Sequence, residues 1–206
     1  FGTSGATSMF RFRHNPNFRY YGMGEKSFGR FELSGLRSKF WNTDVLGDFH
    51  GAQWWEHPTD PYYASIPYLI VELDGTYVGL LLENPFPSFM DAGSNPFFFQ
   101  EAANPDDLSV CLGSEDGQPR LWIIVGPTLP ELTTKFTALT GRSERPPLWS
   151  LGYHQSRWGY GGEKDLRHLD RMLLKHKLPC DGLWLDIDYM DGYRVFSVDR
   201  RMFRKG

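Results

Sequence analysis

The chain changes its sequence pattern near Thr128, and this change limits the folds that it can adopt. Before that point, short β-favouring runs alternate with Gly, Pro, Asn and Asp, without a helical period. The predicted strands are residues 9–13, 18–23, 31–33, 66–73, 76–82, 97–101, 108–112 and 121–125. Asp74 and Gly75 separate two of these runs as a typical hairpin-turn pair. Many short strands at this spacing predict an antiparallel β-sandwich.

A helix and a linker follow the strand-rich part. Thr128 and Glu131 have the spacing of a capping box, and Gly141 is suited to end a helix, so we predict a helix over about residues 129–140. Two prolines, Pro146 and Pro147, then mark a boundary. We expect an N-terminal sandwich domain over residues 1–141 and a second domain over residues 146–206.

The second domain has a β-α-β pattern. Residues 148–153 are predicted as a short apolar strand, residues 163–177 as an amphipathic helix, and residues 182–187 as a buried strand. The residues expected on the inward face of the helix are Leu166, Leu169, Met172 and Leu173. This order predicts two parallel strands joined by a right-handed crossover. The predicted fold class is therefore mixed, with an antiparallel sandwich followed by a β-α-β unit.

Composition excludes several functional classes. With 22 Lys and Arg against 25 Asp and Glu, the net charge of −3 argues against a nucleic-acid partner. The strongest apolar run, residues 121–125, is far shorter than the roughly 20 residues of a membrane span. We therefore expect neither a nucleic-acid nor a membrane partner. No signal-peptide pattern is visible at the start, which slightly favours a cytoplasmic location; the oligomeric state is left open.

Metal and cofactor sites are not indicated either. Cys111 and Cys180 are too few for a disulfide framework or a cysteine-based zinc site. His50 and His57 match no ligand spacing. The glycines near Gly161 lack both the Lys-Ser/Thr of a phosphate-binding P-loop and the dinucleotide-binding spacing. We expect no metal and no cofactor.

Aromatic residues make up 16% of the chain, with 7 Trp, 10 Tyr and 16 Phe. Aromatic-rich β cores are the common explanation of such a composition. Aromatic rings also provide flat surfaces on which the apolar faces of sugars pack, while polar neighbours bind the hydroxyl groups. Composition alone favours the first explanation and leaves the second open.

Carboxylates at the end of the last predicted strand are the first candidate site. Asp186 and Asp188 follow an apolar parallel strand, at the end where α/β barrels place their active sites. Side chains alternate along a strand, so we expect these two to point the same way. The alternative is that these acids cap turns or pair with Arg194, Arg200 or Arg201.

Two further segments combine polar groups with aromatic rings. Residues 152–160 follow the first predicted strand of the same unit, so we expect them at the same end of the sheet as Asp186. There His154 is more typical of a structural histidine than of a catalyst. Asp44, beside Trp41 in the long irregular stretch 41–67, is either a ligand contact or a turn former.

Four segments in this order resemble glycoside hydrolase family 31, the group of α-glucosidases, endoplasmic-reticulum glucosidase II and α-xylosidases. They are residues 22–26 (GMGEK), 41–44 (WNTD), 147–158 (PLWSLGYHQSRW) and 184–191 (WLDIDYMD). The resemblance extends from about residue 18 to about residue 203. It implies a galactose-mutarotase-like β-sandwich followed by the first part of a (β/α)₈ barrel.

The resemblance also implies roles for individual residues. Asp186 matches the carboxylate that binds outer hydroxyls of the non-reducing glucose in subsite −1, and Ile187 would line that pocket. Trp158 matches an aromatic position that is often Tyr in relatives. Asp44 matches the Asp of a sandwich loop that touches substrate near subsite +1. The implied ligand is an oligosaccharide with a terminal α-linked glucose.

The catalytic residues of the family are not found in this sequence. The family's nucleophile lies in a Trp-x-Asp-Met-Asn-Glu segment, with the acid/base Asp beyond it, and neither is present in these 206 residues. Only 61 residues run from Pro146 to Gly206, whereas a barrel needs about 200 or more. We therefore expect a fragment of a longer retaining, exo-acting α-glucosidase, itself inactive. The alternatives are a carbohydrate-binding sandwich without catalysis, or an α-xylosidase or transglucosylase of the same family.

Overall fold

The computed structural model describes residues 2–4, 7–26, 28–44, 60–93 and 108–204. The chain divides into two compact units, Phe1–Arg142 and Ser143–Gly206. The first unit contains two antiparallel sheets and a helix, and the second contains a parallel strand pair and a helix.

The first unit is an antiparallel β-sandwich, as predicted. Its five-stranded sheet has the order β1 (Gly2–Ser4), β2 (Thr7–Arg13), β8 (Ser109–Ser114), β7 (Ser88–Ala92) and β4 (Arg37–Phe40). Its four-stranded sheet has the order β3 (Arg19–Gly22), β5 (Tyr68–Leu73), β6 (Thr76–Glu83) and β9 (Arg120–Gly126). Leu69 and Leu80 of one sheet and Met90 and Leu112 of the other belong to a single buried core.

Six of the predicted strands are confirmed to within two residues at each end. The predicted hairpin between β5 and β6 is confirmed as well. Leu73 pairs with Thr76, and Asp74 and Gly75 between them both have positive φ angles, of 51° and 77°. That conformation defines the two-residue turn whose twist matches the flanking strands. The predicted strand 97–101 lies outside the described residues.

The predicted strand at 31–33 is wrong. Phe31 is 93% exposed, and the segment forms a turn around the Glu32 carboxylate. That carboxylate accepts hydrogen bonds from the backbone N–H groups of Tyr20 and Ser34, at 3.0 Å each, and from the Ser34 hydroxyl. Burial alone would raise the pKa of Glu32, but these hydrogen bonds outweigh it and lower the pKa. In this segment, hydrogen bonds between a side chain and the backbone take the place of the backbone-to-backbone bonds of a strand.

The helix α1 (Leu129–Thr140) lies against the four-stranded sheet and has the predicted cap. The Thr128 hydroxyl accepts from the Glu131 backbone N–H and donates to the Glu131 carboxylate at 2.8 Å. The Phe136 ring stacks on Tyr68 with centroids 4.0 Å apart, and Leu132 is completely buried. The C-cap Gly141, with a φ of 104°, ends the helix.

The second unit differs from its prediction at the first strand, whereas the second strand, the parallel pairing and the crossover helix are confirmed. The predicted strand at 148–153 is instead a 3₁₀ turn, Leu148–Leu151, because the Pro147 carbonyl accepts from both the backbone N–H and the hydroxyl of Ser150. The first strand is β10 (His154–Arg157), which pairs in parallel with β11 (Gly182–Leu185). The crossover helix is α2 (Glu163–Lys175).

The expected burial in this unit is also only partly correct. The four apolar residues predicted on the inward face of α2 are half-buried, and no residue of the helix is fully buried. Leu183, Trp184 and Leu185 of β11 are exposed rather than buried. The physical reason is that β10 and β11 form a two-stranded sheet within the described residues, which leaves much of their apolar surface uncovered.

Candidate functional site

The carboxyl ends of β10 and β11 place two candidate residues beside each other. Arg157 and Leu185 are register partners and are the last residues of their strands. Trp158 and Asp186 follow them directly, so both leave the sheet at the same edge. Trp158 is 68% exposed, and Ile187, the residue after Asp186, is 45% exposed. This edge therefore carries the Asp186 carboxylate together with two exposed apolar side chains, those of Trp158 and Ile187.

Asp186 has one oxygen engaged and is open to solvent. Its Oδ1 accepts a hydrogen bond of 2.7 Å from the backbone N–H of Ile187 and caps the short 3₁₀ helix Ile187–Tyr189. In the described part of the chain, its Oδ2 has no hydrogen-bond partner and Asp186 takes part in no ion pair. The expected strand alternation of Asp186 and Asp188 is wrong, because the strand ends at Leu185 and Asp186 already begins a helical turn.

The other acids after β11 are bonded within their own loop. Asp188 accepts from the Tyr193 hydroxyl at 3.2 Å, which raises the pKa of Tyr193. Asp191 forms an ion pair with Arg194. The turn-capping alternative is therefore correct for Asp186, which also keeps one oxygen facing solvent. Asp188 is bonded to Tyr193 instead, and among the described residues the acid paired with Arg194 is Asp191.

Asp199 anchors the far end of this loop. Its carboxylate is nearly buried and accepts from the Arg201 guanidinium at 2.6 Å, and this hydrogen bond lowers the pKa of Asp199 to about 2. Its backbone N–H donates to the Tyr189 carbonyl at 2.8 Å. A short path of contacts therefore connects the Asp199 anchor to the 3₁₀ helix that Asp186 caps.

His154 is a structural residue at the opposite end of the strand pair. It begins β10, where it pairs with Gly182, so it does not share the edge of Trp158 and Asp186. Its Nδ1 accepts from the Trp184 indole N–H at 2.8 Å, while Nε2 lies 3.2 Å from the Trp149 carbonyl. Both ring nitrogens are occupied if Nε2 carries the proton. The expectation that residues 152–160 lie together at the carboxyl edge is therefore correct for Trp158 and wrong for His154.

Asp44 lies in the first unit, in the segment that follows β4. The Tyr63 hydroxyl donates to Asp44 Oδ1 at 2.9 Å, and the Thr43 backbone N–H donates to the Tyr62 carbonyl at 3.1 Å. Trp41 in the same segment is exposed. Trp158, Asp186 and Ile187 thus follow the same edge of the strand pair in the second unit, whereas the contacts of Asp44 described above lie within the first unit. That Asp44 and Asp186 bind one sugar stays a prediction.

Sequence reasoning missed an ion pair beside strand β4, between Lys26 and Asp60. Lys26 Nζ lies 2.9 Å from Asp60 Oδ1. Lys26 belongs to the GMGEK segment that carries the family resemblance, but its partner lies 34 residues away with no pattern around it. Only the folded chain brings the two together.

Within residues 2–4, 7–26, 28–44, 60–93 and 108–204, no group of three or more His, Cys, Asp or Glu is arranged to hold a metal ion. His50 and His57 lie outside these ranges. In the same ranges, the structure contains no helix with the length and apolar character of a membrane span.

Comparison with known families assigns both parts of the chain. Residues 3–91 match the glycosyl hydrolase 31 N-terminal galactose mutarotase-like domain, and residues 143–206 match the glycosyl hydrolases family 31 TIM-barrel domain. The chain belongs to glycoside hydrolase family 31. The resemblance found in the four sequence segments is confirmed, as is the expected order of a mutarotase-like sandwich and the start of a TIM barrel.

Individual relatives agree with this assignment. The chain is 36% identical to Alpha-glucosidase 2 of Bacillus thermoamyloliquefaciens over 184 residues, which cover 89% of this chain and 21% of that protein. It is 33% identical to human Neutral alpha-glucosidase AB over 151 residues, 68% of this chain and 16% of the relative. A Flavobacterium johnsoniae GH31 dextranase, solved in complex with glucose, matches 98% of this chain and 22% of its own with a TM-score of 0.83 at 24% identity, which shows a shared fold. The chain spans about a fifth of the length of these family 31 relatives.

Proposed function

We propose that this chain provides substrate-binding residues of a retaining, exo-acting α-glucosidase that removes terminal α-linked glucose from oligosaccharides. Two relatives at 33–36% identity are named α-glucosidases, and both extend far beyond the matched part. The nucleophile and the acid/base carboxylate would come from residues outside this sequence, since the Trp-x-Asp-Met-Asn-Glu segment is not among its 206 residues.

The observation that carries the proposal is the state of Asp186. Its Oδ1 is held by the Ile187 backbone N–H, so the carboxylate has a defined orientation before any ligand binds. Its other oxygen is available at the carboxyl edge of a parallel strand pair, where barrel enzymes bind substrates. An ionised carboxylate accepts hydrogen bonds only, which suits the hydroxyl donors of a sugar.

The neighbouring apolar side chains would complete a glucose subsite. The exposed Trp158 ring and the exposed Ile187 side chain leave the same sheet edge as Asp186. Sugars present apolar C–H faces between their hydroxyl groups, and aromatic rings pack against such faces. In this arrangement Asp186 would select the hydroxyl pattern, while Trp158 and Ile187 would exclude water from the ring.

The proposed chemistry uses these residues for orientation rather than for bond making. In a retaining mechanism, one carboxylate attacks the anomeric carbon, a carboxylic acid protonates the leaving oxygen, and water then hydrolyses the glycosyl-enzyme. The hydrogen bonds that Asp186 accepts from glucose hydroxyls would hold the anomeric carbon in line with the nucleophile. They would accelerate the reaction to the extent that they strengthen in the transition state.

The full-length protein allows a direct test of this function. Maltotriose is incubated with the protein, and the products are followed by proton NMR in the first minutes. We expect glucose and maltose to appear together, with the released glucose as the α-anomer, because a retaining exo-enzyme removes one terminal unit at a time. Release of β-glucose, or of xylose from α-xylosides in preference to glucose from α-glucosides, would refute the proposal. Absence of any turnover would favour the binding-module alternative.

A further inference from the structure

The Lys26 side chain is buried although lysines are normally exposed. Only 3% of it is accessible, and its ammonium lies 2.5 Å from the Lys39 carbonyl and 2.9 Å from Asp60 Oδ1. The ammonium also lies 4.6 Å from the centroid of the Phe40 ring. A buried ammonium is costly unless it is fully partnered, and the recognised use of such ion pairs is to specify a geometry.

Asp60 continues the network on the other side of the ion pair. Its Oδ2 accepts the Lys39 backbone N–H at 2.7 Å, and its Oδ1 accepts the Ser38 hydroxyl at 3.1 Å in addition to Lys26. Ser38 and Lys39 belong to the edge strand β4. One carboxylate therefore fastens the chain at residue 60 to a strand of the sandwich.

The residues directly after Asp60 hold the segment that contains Asp44. The Tyr62 carbonyl accepts from the Thr43 backbone N–H at 3.1 Å, and the Tyr63 hydroxyl donates to the Asp44 carboxylate at 2.9 Å. Contacts thus run from Lys26 through Asp60 to residues 62–63 and then to Asp44. The segments 41–44 and 60–63 are joined to each other as well as to β4.

We propose that the Lys26–Asp60 ion pair is a positioning pair that sets the location of Asp44 on the side of the substrate's leaving group. The proposal rests on the proposed function and on the role that the family resemblance implies for Asp44, a contact with substrate near subsite +1. Lys26 and Asp60 act through the 60–63 segment and do not contact the sugar. This assigns a role to the lysine of the GMGEK segment.

The effect of breaking the pair depends on what the substrate carries in its leaving group. Lys26→Met keeps a long apolar side chain but removes the ammonium, which leaves the Asp60 carboxylate without its cation. A displacement of Asp44 by about 1 Å costs up to roughly 100-fold in rate. In the full-length enzyme we expect kcat/KM for maltose to fall about 10- to 100-fold, mainly through KM. For α-glucosyl fluoride, which has no leaving-group sugar, we expect a change of less than about threefold.

The matched control is Lys175→Met, which removes an exposed lysine in the last turn of α2. It should leave both substrates unaffected. Tyr63→Phe provides a second variant, because Tyr63 is 41% exposed and its change removes only the hydroxyl that donates to Asp44. It should reproduce the maltose-selective loss even where Lys26→Met does not fold.

A double-mutant cycle with Asp44→Ala separates the possible outcomes. If Lys26 acts through Asp44, the Lys26→Met, Asp44→Ala protein loses no more activity on maltose than Asp44→Ala alone. Additive losses, an equal loss on both substrates, or an unchanged kcat/KM for maltose in both Lys26→Met and Tyr63→Phe would overturn the positioning proposal. If Asp44→Ala itself has no effect, Asp44 does not contact the substrate and the positioning proposal fails, whereas the proposed α-glucosidase function is decided separately by the products of maltotriose.

Discussion

Asp186 offers a substitution that separates binding from folding at a single position. Asp186 Oδ1 accepts a hydrogen bond of 2.7 Å from the Ile187 backbone N–H. Asn is as good a helix cap as Asp, so Asp186→Asn keeps an oxygen that accepts this bond. The second oxygen becomes an amide N–H₂ that donates instead of accepting. Asp186→Ala removes both functions.

The magnitude follows from the hydrogen bonds that are lost. A hydrogen bond between a charged group and a neutral partner contributes about 1.5–3 kcal/mol. Two hydrogen bonds donated by glucose hydroxyls to the carboxylate therefore correspond to about 3–6 kcal/mol, or about 10²- to 10⁴-fold in kcat/KM. Loss of the cap alone costs about 0.5–2 kcal/mol of folding stability, and only the Ala variant suffers it.

The assay compares both variants with wild type in the full-length enzyme, using kcat/KM for an aryl α-glucoside and the thermal unfolding midpoint. We expect a large activity loss in both variants and a lowered midpoint only in Asp186→Ala. Asp188→Asn serves as the control, because Asp188 is bonded to Tyr193 within its own loop. If Asp186→Asn retains activity within about threefold of wild type, Asp186 does not bind the substrate as inferred here.

Three further outcomes are expected. Asp199→Asn should destabilise the protein near neutral pH, because the hydrogen bond from Arg201 lowers the pKa of Asp199 to about 2 in the folded protein. The stabilisation is complete above the ordinary aspartate pKa and is lost as the pH falls through the folded value, so the acid unfolding curves of the two proteins should converge only below about pH 2. Leu132→Ala should cost about 2–5 kcal/mol in urea unfolding, because Leu132 is completely buried between α1 and the sheet, whereas the exposed Leu139 should cost far less on the same change. The 206-residue chain by itself should not hydrolyse an aryl α-glucoside, and measurable turnover would contradict the assignment of the catalytic carboxylates to residues outside it.

Local features of the fold were predictable where neighbouring residues supply the interactions. The Asp74-Gly75 turn and the Thr128 cap depend on residues at most three positions apart, and both were correctly predicted. Strands with apolar β-favouring residues, such as β5 and β6, were recognisable for the same reason. Apolar and β-branched residues favour a half-buried strand, so the composition of these segments indicates their structure.

Strands whose own residues lack a β-favouring pattern were not predictable. β4 (Arg37–Phe40) has two cations in four residues and carries no strand pattern, yet it pairs with β7 (Ser88–Ala92), which contains Ser and Asp between flanking prolines. Their formation depends on the ladder between them and on the buried core, where Phe40 and Met90 lie. Neither contribution is local in sequence.

The candidate site divides in the same way. Its residues were named from the resemblance of four ordered segments to family 31, and the position of Asp186 after an apolar strand predicted that it lies at the carboxyl end of that strand. Tertiary structure alone decided that the strand ends at Leu185, that Asp186 caps a 3₁₀ turn with one oxygen open, and that His154 belongs to the opposite end. It alone also paired Lys26 with Asp60. Neighbouring residues determine local backbone preferences, and these can be predicted from sequence. Lys26 and Asp60 are 34 residues apart, and only folding of the chain brings their charges together.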